Sequence, residues 1–421
     1  MMSKNKTLVL FTNKYPFASE IFLVNELKVL GSYFERIYII PSVEGKNITR
    51  YIPPNAQIVK EYAKYLLIQN NKKGGIMALG LWVLIFCKYF LRQILKQPHR
   101  YLHPKGVKRI IQWLGRAYIN QKWIEAFIKR ENLDLSETVF YSYWINLNSV
   151  ALAMLKKRRK NITFIARAHG FDVYDERNPH PFVSWKFFVL PRLNKACLIS
   201  EAGKKYLDTF YGEYQKNYSV FRLGTTNPNT DSAFSNENSL FILSASNVIS
   251  LKRVHLILDA VLDLTSRIQN LSVQWDHFGG GPLLEELKKR VGTASSKNLT
   301  VNLHGKVPNE IVLVHYKEKP IDVFINVSEI EGIPFSIMEA HSFGVPVMAT
   351  AVGGTPEIVN NSNGILLPPN PTVEEISKQL QNIAENRNQW IEKRKNAKEN
   401  WNNNFNAEKN YTQFAQTLVN L

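Results

Sequence analysis

The stretch "IDVFINVSEIEGIPFSIMEAHSFGVPVMAT", residues 321–350, alternates between short apolar runs and one helical stretch. The runs at 321–328 and 345–350 have the length and apolarity of buried strands, and "PFSIMEAHSF" between them is predicted to be a short helix. Two strands joined by a helix are typical of a parallel βαβ unit. This unit predicts a parallel sheet with crossover helices for the region around it.

The same alternation extends upstream and occurs again in the first half of the chain. The predicted strands of the second half include "SLFILSAS", "LSVQWDHFG" and "LTVNLHG", with helices at "RVHLILDAVLDLTSRI" and "PLLEELKKRV". In the first half, "TLVLFTNKYPF", "RIYIIP", "TVFYSYW", "ITFIARAHG" and "ACLIS" are short apolar runs that end in polar turns. A chain of 421 residues is too long for one ordinary core, so we expect two doubly wound α/β domains.

The domain boundaries are predicted from local composition. Residues 223–239, "LGTTNPNTDSAFSNENS", are rich in Asn, Ser, Thr and Pro and are expected to be a linker. They separate a first domain, residues 1–222, from a second domain, residues 240–390. Residues 391–421 are expected to form terminal helices that pack back toward the first domain. Because ligands of open α/β sheets bind beyond the carboxyl ends of the strands, functional residues are expected in the loops that follow strands.

The overall composition is that of a globular chain, with 45% hydrophobic and 21% charged residues. Its two cysteines, Cys87 and Cys197, lack the spacing of a disulfide scaffold or a zinc site and fit a reducing compartment. The apolar run at the N-terminus is too short for a secretory signal. These features favour a cytoplasmic location.

The net charge of +18 is concentrated in a basic segment, residues 60–130, which holds fifteen Lys or Arg and two acidic residues. Basic residues interleaved with aromatic ones suit an anionic membrane surface or a nucleic acid. The uncharged run "GGIMALGLWVLIFC", residues 74–87, is shorter than the ~20 residues of a spanning helix, so it is expected to lie on a membrane or to pack in a core. A further interpretation is a set of helices with solvated basic faces. The aromatic residues of the segment include Trp82, Phe86, Tyr89, Phe90, Trp113, Trp123 and Phe127.

Two carboxylates, Glu331 and Glu339, stand eight positions apart around the predicted helix start. A helix that begins after a buried strand offers free backbone N–H groups to an anion, and a phosphate pair would fit at Phe335, Ser336 and Ile337. The flanking carboxylates would then accept hydrogen bonds from the hydroxyls of sugars attached to the phosphates. The structural alternative is that Ser336 and Glu339 form a capping box, S-x-x-E.

Other strand ends of the second domain carry glycine or basic clusters. Gly353-Gly354 and Gly279–Gly281 permit close approach of the backbone to a ligand, and Lys252-Arg253 stand before a helix. Taken singly, each is equally well explained as an ordinary turn or a solvated charge pair. The chain has no G-x-G-x-x-G fingerprint, which disfavours a nicotinamide enzyme.

Taken together, these motifs resemble those of the family 4 retaining glycosyltransferases. "SEIEGIPFSIMEAHSFGVPVMATAVGGTPEIV" resembles the family signature with its E-x7-E motif, and "KR", "HFGGGPL" and "LHGKVPNEIV" follow the family's order and spacing. The resemblance covers essentially the whole second half. In the first half, "RAHGFDVY" resembles the histidine-bearing loop, and "NKYPFASEIFLVNEL" resembles the N-terminal loop and helix of the polysaccharide-making branch. The resemblance implies a GT-B fold, with two Rossmann-like domains that face a central cleft.

The chain departs from the family pattern at two places. Many members carry a Gly-Gly pair in the N-terminal loop, where residues 17–20 here are "FASE". The arginine often found on the first strand of the nucleotide domain is absent from "SASN". Lys252, with Arg253, is therefore the implied cation for the phosphates.

The resemblance implies roles for individual residues. Glu331 would hold hydroxyls of the donor sugar, Glu339 the ribose hydroxyls, and Lys252 the departing diphosphate. His169, from the first domain, would contact the donor sugar, so Glu331, His169 and Lys252 are the implied catalytic residues. The other implied donor-binding residues are Arg253, Gly332, Phe335, Ser336, Ile337, Gly305, Lys306, Val307, Gly279 and Gly280.

On the acceptor side, the resemblance implies Glu20, Asp172 and Arg167. Taken alone, a histidine such as His169 is more often a packed or hydrogen-bonded loop residue, but its place between Arg167 and Asp172 on a strand-end loop favours function. No D-x-D pair stands at a plausible strand end, and Lys252 with a helix N-terminus can stabilise a departing diphosphate. We therefore expect no metal and no cofactor other than the nucleotide-sugar co-substrate.

The expected function is that of a retaining hexosyltransferase. It would move a hexosyl unit from a nucleotide sugar, with a UDP-sugar favoured, to a lipid-linked glycan acceptor in the synthesis of a capsule, exopolysaccharide or lipopolysaccharide. The expected partners include an anionic membrane surface at the inner face of the cell membrane, and exclude nucleic acid. The alternatives are a nucleotide-sugar-binding protein without turnover and a basic nucleic-acid-binding protein. A glycan phosphorylase would need a longer chain with a pyridoxal phosphate lysine.

Overall fold

The structure of the chain is a computed structural model, and it comprises two compact units. Unit 1 comprises Met1–Arg222 together with Glu408–Leu421, and unit 2 comprises Leu223–Ala407. The structure describes residues 6–86 except 19, residues 104–294 except 178–184, residues 296–421, and the single positions 95 and 98. Cys87, Tyr89 and Phe90 of the sequence predictions lie outside the described residues.

Unit 1 is built on a parallel sheet of seven strands in the order β3-β2-β1-β4-β5-β6-β7. The sheet is covered on both faces, which explains why its central strands are near-continuous apolar runs. At its centre Val9 of β1 lies between Tyr38 of β2 and Phe140 of β4. The strands are β1 (Thr7–Thr12), β2 (Arg36–Pro41), β3 (Ala56–Ile58), β4 (Thr138–Ser142), β5 (Thr163–Ala168), β6 (Lys195–Leu198) and β7 (Tyr218–Val220).

The helices of unit 1 connect these strands, and the C-terminal helix α15 adds Phe414, Ala415 and Leu418 to the core beneath β4 and β5. The helices are α1 (Leu23–Tyr33), α2 (Glu61–Asn70), α3 (Lys73–Phe86), α4 (Pro104–Arg130), α5 (Leu147–Arg158), α6 (Gly170–Val173), α7 (Lys186–Val189), α8 (Glu201–Tyr211) and α15 (Ala407–Val419).

The apolar helix α3 packs on α4 through glycines. A β-carbon on Gly80 would lie 1.8 Å from the backbone oxygen of Ile111, and one on Gly115 would lie 2.1 Å from that of Ile76. The two backbones are therefore in direct contact. The packed face of α3 is part of the core, while Leu81 and Trp82 on the same helix are each 45% exposed. The sequence predicted that this apolar run lies on a membrane or packs in a core, and core packing holds for one face of α3.

Unit 2 is built on a six-stranded parallel sheet in the order β10-β9-β8-β11-β12-β13. Both sheets therefore begin with the 3-2-1-4-5-6 order of a doubly wound fold, which confirms the predicted fold class. The strands are β8 (Ser239–Ala245), β9 (Ser272–Phe278), β10 (Leu299–Gly305), β11 (Val323–Asn326), β12 (Val347–Thr350) and β13 (Gly364–Leu367). The helices are α9 (Val254–Arg267), α10 (Leu284–Thr293), α11 (Asn309–Glu318), α12 (Phe335–Ser342), α13 (Val373–Glu385) and α14 (Arg387–Asn404).

The limits of unit 2 differ from those expected for the second domain. Residues 223–239, expected to be a linker, belong to unit 2, because their polar groups bond to its interior. Trp401 donates its indole N–H to the Thr225 hydroxyl at 2.7 Å, and the Ser235 backbone N–H donates to Asp322 at 2.9 Å. Helix α14 also stays with unit 2, so only the chain from Glu408 onward belongs to unit 1.

Candidate active site

Lys252 and Glu331 form an ion pair at the point where the strand order of unit 2 reverses. Lys252 lies in a short 3-10 turn after β8, and Glu331 lies in the loop after β11. The Lys252 Nζ is 2.5 Å from Glu331 Oε1, and Asn326 donates to the same oxygen at 3.1 Å. The lysine side chain is 23% exposed and the glutamate side chain 10%, so the pair is largely shielded from water. Reversal points of such sheets are where ligands bind.

The Gly353-Gly354 pair supports the Glu331 loop. A β-carbon on Gly353, whose φ is 55°, would lie 2.0 Å from the Glu331 backbone oxygen. The Gly354 N–H donates to the Gly332 oxygen at 2.8 Å. The backbone of this glycine pair therefore approaches the loop that carries Glu331 and Gly332. This contact fixes the position of the loop.

Glu339 is a buried carboxyl inside helix α12. It is 5% exposed and accepts a hydrogen bond from the Asn309 amide at 2.7 Å. Burial raises the pKa of Glu339 to about 7. The helix begins after Pro334 and no side chain caps it, so the capping-box alternative is wrong. Glu339 is the fifth residue of the helix, two positions beyond the third residue, whose side chain would close a capping box.

The first turn of α12 contains the residues expected to meet the phosphates. Phe335 and Ser336 are partly exposed, and Ile337 is fully buried. The Ile337 N–H donates to the Pro334 oxygen at 3.2 Å, a long hydrogen bond. The turn thus offers a partly exposed helix start next to the Glu331 loop in sequence.

Arg253 is a clamp between loops of unit 2. Its Nε donates to the Val327 oxygen at 2.7 Å, and its Nη2 donates to the oxygens of Ser328 and Pro369 at 3.0 and 2.8 Å. Its Nη1 donates to the Asn370 side chain at 3.0 Å. These bonds occupy both sides of the guanidinium, so the geometry supports a structural role rather than the predicted phosphate contact.

The glycine clusters after β9 and β10 join three strand ends. The Gly279 N–H donates to the Gly305 oxygen at 2.9 Å, and the Gly280 oxygen accepts from Val248 at 3.0 Å. A β-carbon on Gly280 would lie 3.1 Å from that of Lys306. Lys306 is exposed, and Val307 beside it is partly buried. These predicted donor-binding residues are therefore brought together at one edge of the sheet.

A second group of titratable residues, Asp276, His304 and His315, lies in the same unit. Each offers one ligand atom, and the three atoms lie within 4.8 Å of one another. These are donor types that divalent transition metals take. However, Asp276 Oδ2 is 2.8 Å from His315 Nε2, and Oδ1 accepts from Gln274 and Asn302 at 3.0 and 2.8 Å. Hydrogen bonds alone therefore satisfy the carboxylate.

The pKa of Asp276 reflects these contacts. Burial alone would raise it, but the hydrogen bonds from His315, Gln274 and Asn302 outweigh burial and lower it to about 2. No sequence pattern marks this cluster, because its members come from β9, β10 and α11 and have no motif spacing among them.

In unit 1, His169 is a buried residue with aromatic neighbours. It is 6% exposed, and its ring centroid lies 4.3 Å from that of Trp144 and 4.8 Å from that of Tyr143. Burial, together with the Arg167 charge, holds its pKa well below the ordinary value, so the ring is neutral at pH 7. Neither ring nitrogen has a hydrogen-bond partner among the residues that the structure describes.

Asp172 and Glu20, expected on the acceptor side, each hold a loop of unit 1. Asp172 accepts backbone N–H bonds from Ile145 and His169 at 2.7 and 2.5 Å, and burial raises its pKa to about 7. Glu20 accepts backbone N–H bonds from residues 13–15 at 2.8 to 2.9 Å and the Trp144 indole N–H at 2.8 Å. Their carboxylates fix the ends of β1, β4 and β5.

Arg167 lies in the core of unit 1. It is fully buried, with its guanidinium 3.0 Å from Glu26 and its Nε bonded to the Tyr141 hydroxyl at 2.8 Å. A further bond reaches the Phe221 oxygen at 3.1 Å. The expected acceptor contact is not supported by this position, because the side chain points into the protein instead of toward solvent.

Comparison with known proteins finds a family model that is similar to most of unit 2. Residues 227–403 match the model of the family described as "Glycosyl transferases group 1". The O-antigen biosynthesis glycosyltransferase WbnH of Escherichia coli is 34% identical over 89 residues, which is 21% of this chain and 23% of WbnH. The aligned residues thus span less than a quarter of that relative.

Solved structures match over nearly the whole chain. HepE of Anabaena, in complex with UDP and glucose, has a TM-score of 0.63 at 14% identity and covers 99% of this chain and 100% of HepE. The lipopolysaccharide outer core galactosyltransferase WaaB has a TM-score of 0.62 at 11% identity, with 98% and 99% of the two chains covered. These neighbours have the GT-B fold, and the two Rossmann-like units of this chain share it.

Proposed function

We propose that this chain is a glycosyltransferase that moves a hexosyl unit from a nucleotide sugar to a glycan acceptor. The observation that carries the proposal is the Lys252–Glu331 pair at 2.5 Å in a segment that matches a glycosyltransferase family model. Glu339, buried nearby in sequence with a raised pKa, adds a second carboxyl of the kind found at functional sites.

The pair suits the departure of a diphosphate. In the transfer, the bond between the anomeric carbon and the phosphate oxygen breaks, and the electron pair leaves with the nucleoside diphosphate. The Lys252 ammonium would neutralise that charge in a partly desolvated site, where an ion pair is worth more than in water. Once Lys252 contacts phosphate, the Glu331 carboxylate is released to accept hydrogen bonds from the donor sugar. The acceptor hydroxyl oxygen forms the new bond to the anomeric carbon, and its proton passes to the departing diphosphate oxygen.

The finer features of the proposal come from the resemblance and the relatives. Glu339 would accept hydrogen bonds from the ribose hydroxyls, and the unpartnered ring nitrogens of His169 would form hydrogen bonds with the donor sugar. We propose a UDP-sugar because HepE was solved with UDP, and cell-surface polysaccharide synthesis because WbnH is named for O-antigen biosynthesis. We further propose retention of anomeric configuration and no need for a metal or other cofactor, since Lys252 supplies the cation.

The proposed acceptor is a lipid-linked glycan at the inner face of the cell membrane. The basic segment has a net charge of +13, and its helices expose Leu67, Ile68, Leu81 and Trp82. A basic surface with exposed apolar side chains suits peripheral attachment to anionic lipid. Within the described parts of the chain, no helix is both long and apolar enough to cross a bilayer.

A donor screen followed by product analysis tests the proposal. UDP-, GDP-, ADP- and TDP-sugars would be compared by thermal shift, since a ligand that binds the folded state raises its stability by mass action. The stabilising donor would then be incubated with a lipid-linked glycan fraction in excess chelator, and the anomeric configuration of the product determined by NMR. Donor binding without any transfer would favour a sugar-nucleotide-binding protein. A requirement for magnesium would contradict the role of Lys252, and an inverted product would contradict retention.

A further inference from the structure

Unit 1 contains a cavity of its own, of about 210 Å³, at the carboxyl ends of its strands. Asn13, which follows β1, and Asn146, which follows β4, lie on its wall. The strand order of unit 1 reverses between β1 and β4, and ligands of such sheets bind at that point. None of the residues that the sequence predicts on the acceptor side lines this cavity.

Arg116 of helix α4 brings an unsatisfied hydrogen-bond donor of a charged group to the cavity. Its Nε is buried and has no hydrogen-bond partner, and within the described residues Arg116 forms no hydrogen bond or ion pair. A buried donor without a partner lowers stability, and the loss is larger when the donor is charged. Among the described residues that line the cavity, none is an Asp or Glu that could satisfy it. An anionic group on a ligand would supply the missing acceptor.

The remainder of the wall suits a sugar. Gln69, Asn70 and Asn120 place side-chain amides around the cavity, and Trp113 adds an indole. Amides both donate and accept, as vicinal hydroxyls require, and an aromatic ring suits the apolar face of a pyranose.

The wall is also held in place by hydrogen bonds. Asn120 donates to the Asn148 side chain at 3.0 Å, and Asn148 donates to the Ser42 hydroxyl at 3.3 Å. The Tyr62 hydroxyl donates to the same Asn148 oxygen. The amides of Asn120 and Asn148 are therefore preorganised, which lowers the entropy cost of binding.

We propose that this cavity binds a saccharide that carries a phosphate or carboxylate group, with Arg116 contacting the anion and the amides contacting the hydroxyls. Its assignment as the acceptor site rests on the proposed glycosyltransferase function. It narrows the acceptor class to an anionic sugar, such as a sugar phosphate or a uronic acid.

Titration of the full chain with small probes tests the inference. The probes are glucose 1-phosphate, glucuronate, glucose and inorganic phosphate, measured by NMR in excess UDP so that the Lys252 site is occupied. Wild type should bind at least one anionic sugar more tightly than glucose, and Arg116→Gln should weaken that binding at least tenfold. Lys108→Gln, an exposed cation on the same helix, should leave it unchanged. Preference for glucose 1-phosphate or for glucuronate identifies the anion as phosphate or carboxylate.

A second variant separates sugar recognition from simple anion binding. Gln69→Ala should weaken the binding of glucose 1-phosphate several-fold and leave the binding of inorganic phosphate unaffected. Thermal unfolding of each variant in the absence of ligand checks that the chain is folded. Equal binding of anionic sugars by wild type and Arg116→Gln, or no preference for them over glucose, overturns the inference.

The outcome is separable from that of the proposed function. A chain that binds UDP and turns over a donor, yet ignores every anionic sugar, would retain the glycosyltransferase function and lose this inference. If the chain binds anionic sugars through Arg116 but binds no nucleotide sugar, the ligand class proposed for the cavity stands and the proposed function is lost. The titrations are repeated on Lys252→Ala for this comparison.

Discussion

At the scale of single residues, burial decides how Glu339 titrates and therefore how it could bind a nucleotide. Its carboxyl is 95% buried, accepts one amide hydrogen bond from Asn309, and has a pKa raised to about 7. Since the folded-state pKa lies above the ordinary value of 4.5, the protonated form is favoured up to about pH 7. Ribose hydroxyls that donate to the carboxylate would favour the ionised form instead.

We therefore predict that affinity for a UDP-sugar rises with pH. Between about pH 6 and about pH 8 the dissociation constant should fall roughly tenfold, because binding must remove a proton from Glu339 at the lower pH. A UDP-sugar is used because its diphosphate does not titrate in this range. Calorimetry on wild type and Glu339→Gln measures it, and the variant should show a flat profile. An equally steep profile in the variant would exclude Glu339 as the titrating group.

Substitutions of the adjacent cations Lys252 and Arg253 are predicted to have different effects. Lys252→Ala should fold normally and lose most of its transfer rate, because the diphosphate would leave without its cation. Arg253→Ala should lower the free energy of unfolding by about 1–3 kcal/mol, because it removes the hydrogen bonds that Arg253 donates to the carbonyls of Val327 and Ser328. Denaturant unfolding and turnover per folded molecule measure both. Normal stability of Arg253→Ala with weakened UDP binding would restore its predicted phosphate role.

These residues show where sequence reasoning stopped. The motifs pointed to Lys252 and Glu331, which the structure pairs, because both follow strands in a recognisable signature. They could not separate Arg253 or Arg167 from ligand-binding residues. The partners of those arginines are a carboxylate and backbone carbonyls from distant segments, and no local pattern marks them.

At the scale of elements, the contact between α3 and α4 depends on glycine. A β-carbon on Gly80 would lie 1.8 Å from the Ile111 oxygen, whereas one on Gly74 of the same helix would meet nothing within 4 Å. We predict that Gly80→Ala destabilises the chain by roughly 1–3 kcal/mol through overpacking. The matched control, Gly74→Ala, should be neutral or stabilising by up to about 1 kcal/mol. Equal unfolding midpoints for the two variants would contradict the packing described.

The basic segment should attach the chain to anionic membranes. Wild type should co-sediment with vesicles that contain an anionic lipid, less so at high salt, because each basic residue near such a surface contributes about 1 kcal/mol. Reversal of Lys64, Lys72 and Lys108 to Glu should release it. Reversal of three exposed lysines of unit 2, Lys289, Lys317 and Lys395, is the matched control. Failure of wild type to sediment at low salt, or equal release by both triple variants, would contradict the membrane role.

At the scale of the whole molecule, the alternation of strands and helices predicted two doubly wound units because each strand–helix–strand step leaves a local pattern. The limits of the units were less visible. The polar stretch at 223–239 resembles a linker in composition, yet its side chains bond to Trp401 and Asp322, which are far along the chain. Helix α14 stays with unit 2 and α15 with unit 1, although nothing in their composition separates them. Such assignments depend on tertiary contacts.

The central claim is that the Lys252–Glu331 pair performs glycosyl transfer, and Glu331→Gln tests it most directly. With a UDP-sugar, a lipid-linked glycan fraction and excess chelator, the measured quantity is transfer per folded molecule. The exposed neighbour Glu329→Gln is the control. The account predicts a loss of at least about a hundredfold for Glu331→Gln, with UDP bound as tightly as in wild type because Lys252 remains, and no loss for Glu329→Gln. Wild-type transfer by Glu331→Gln, or a loss explained entirely by unfolding, would contradict it.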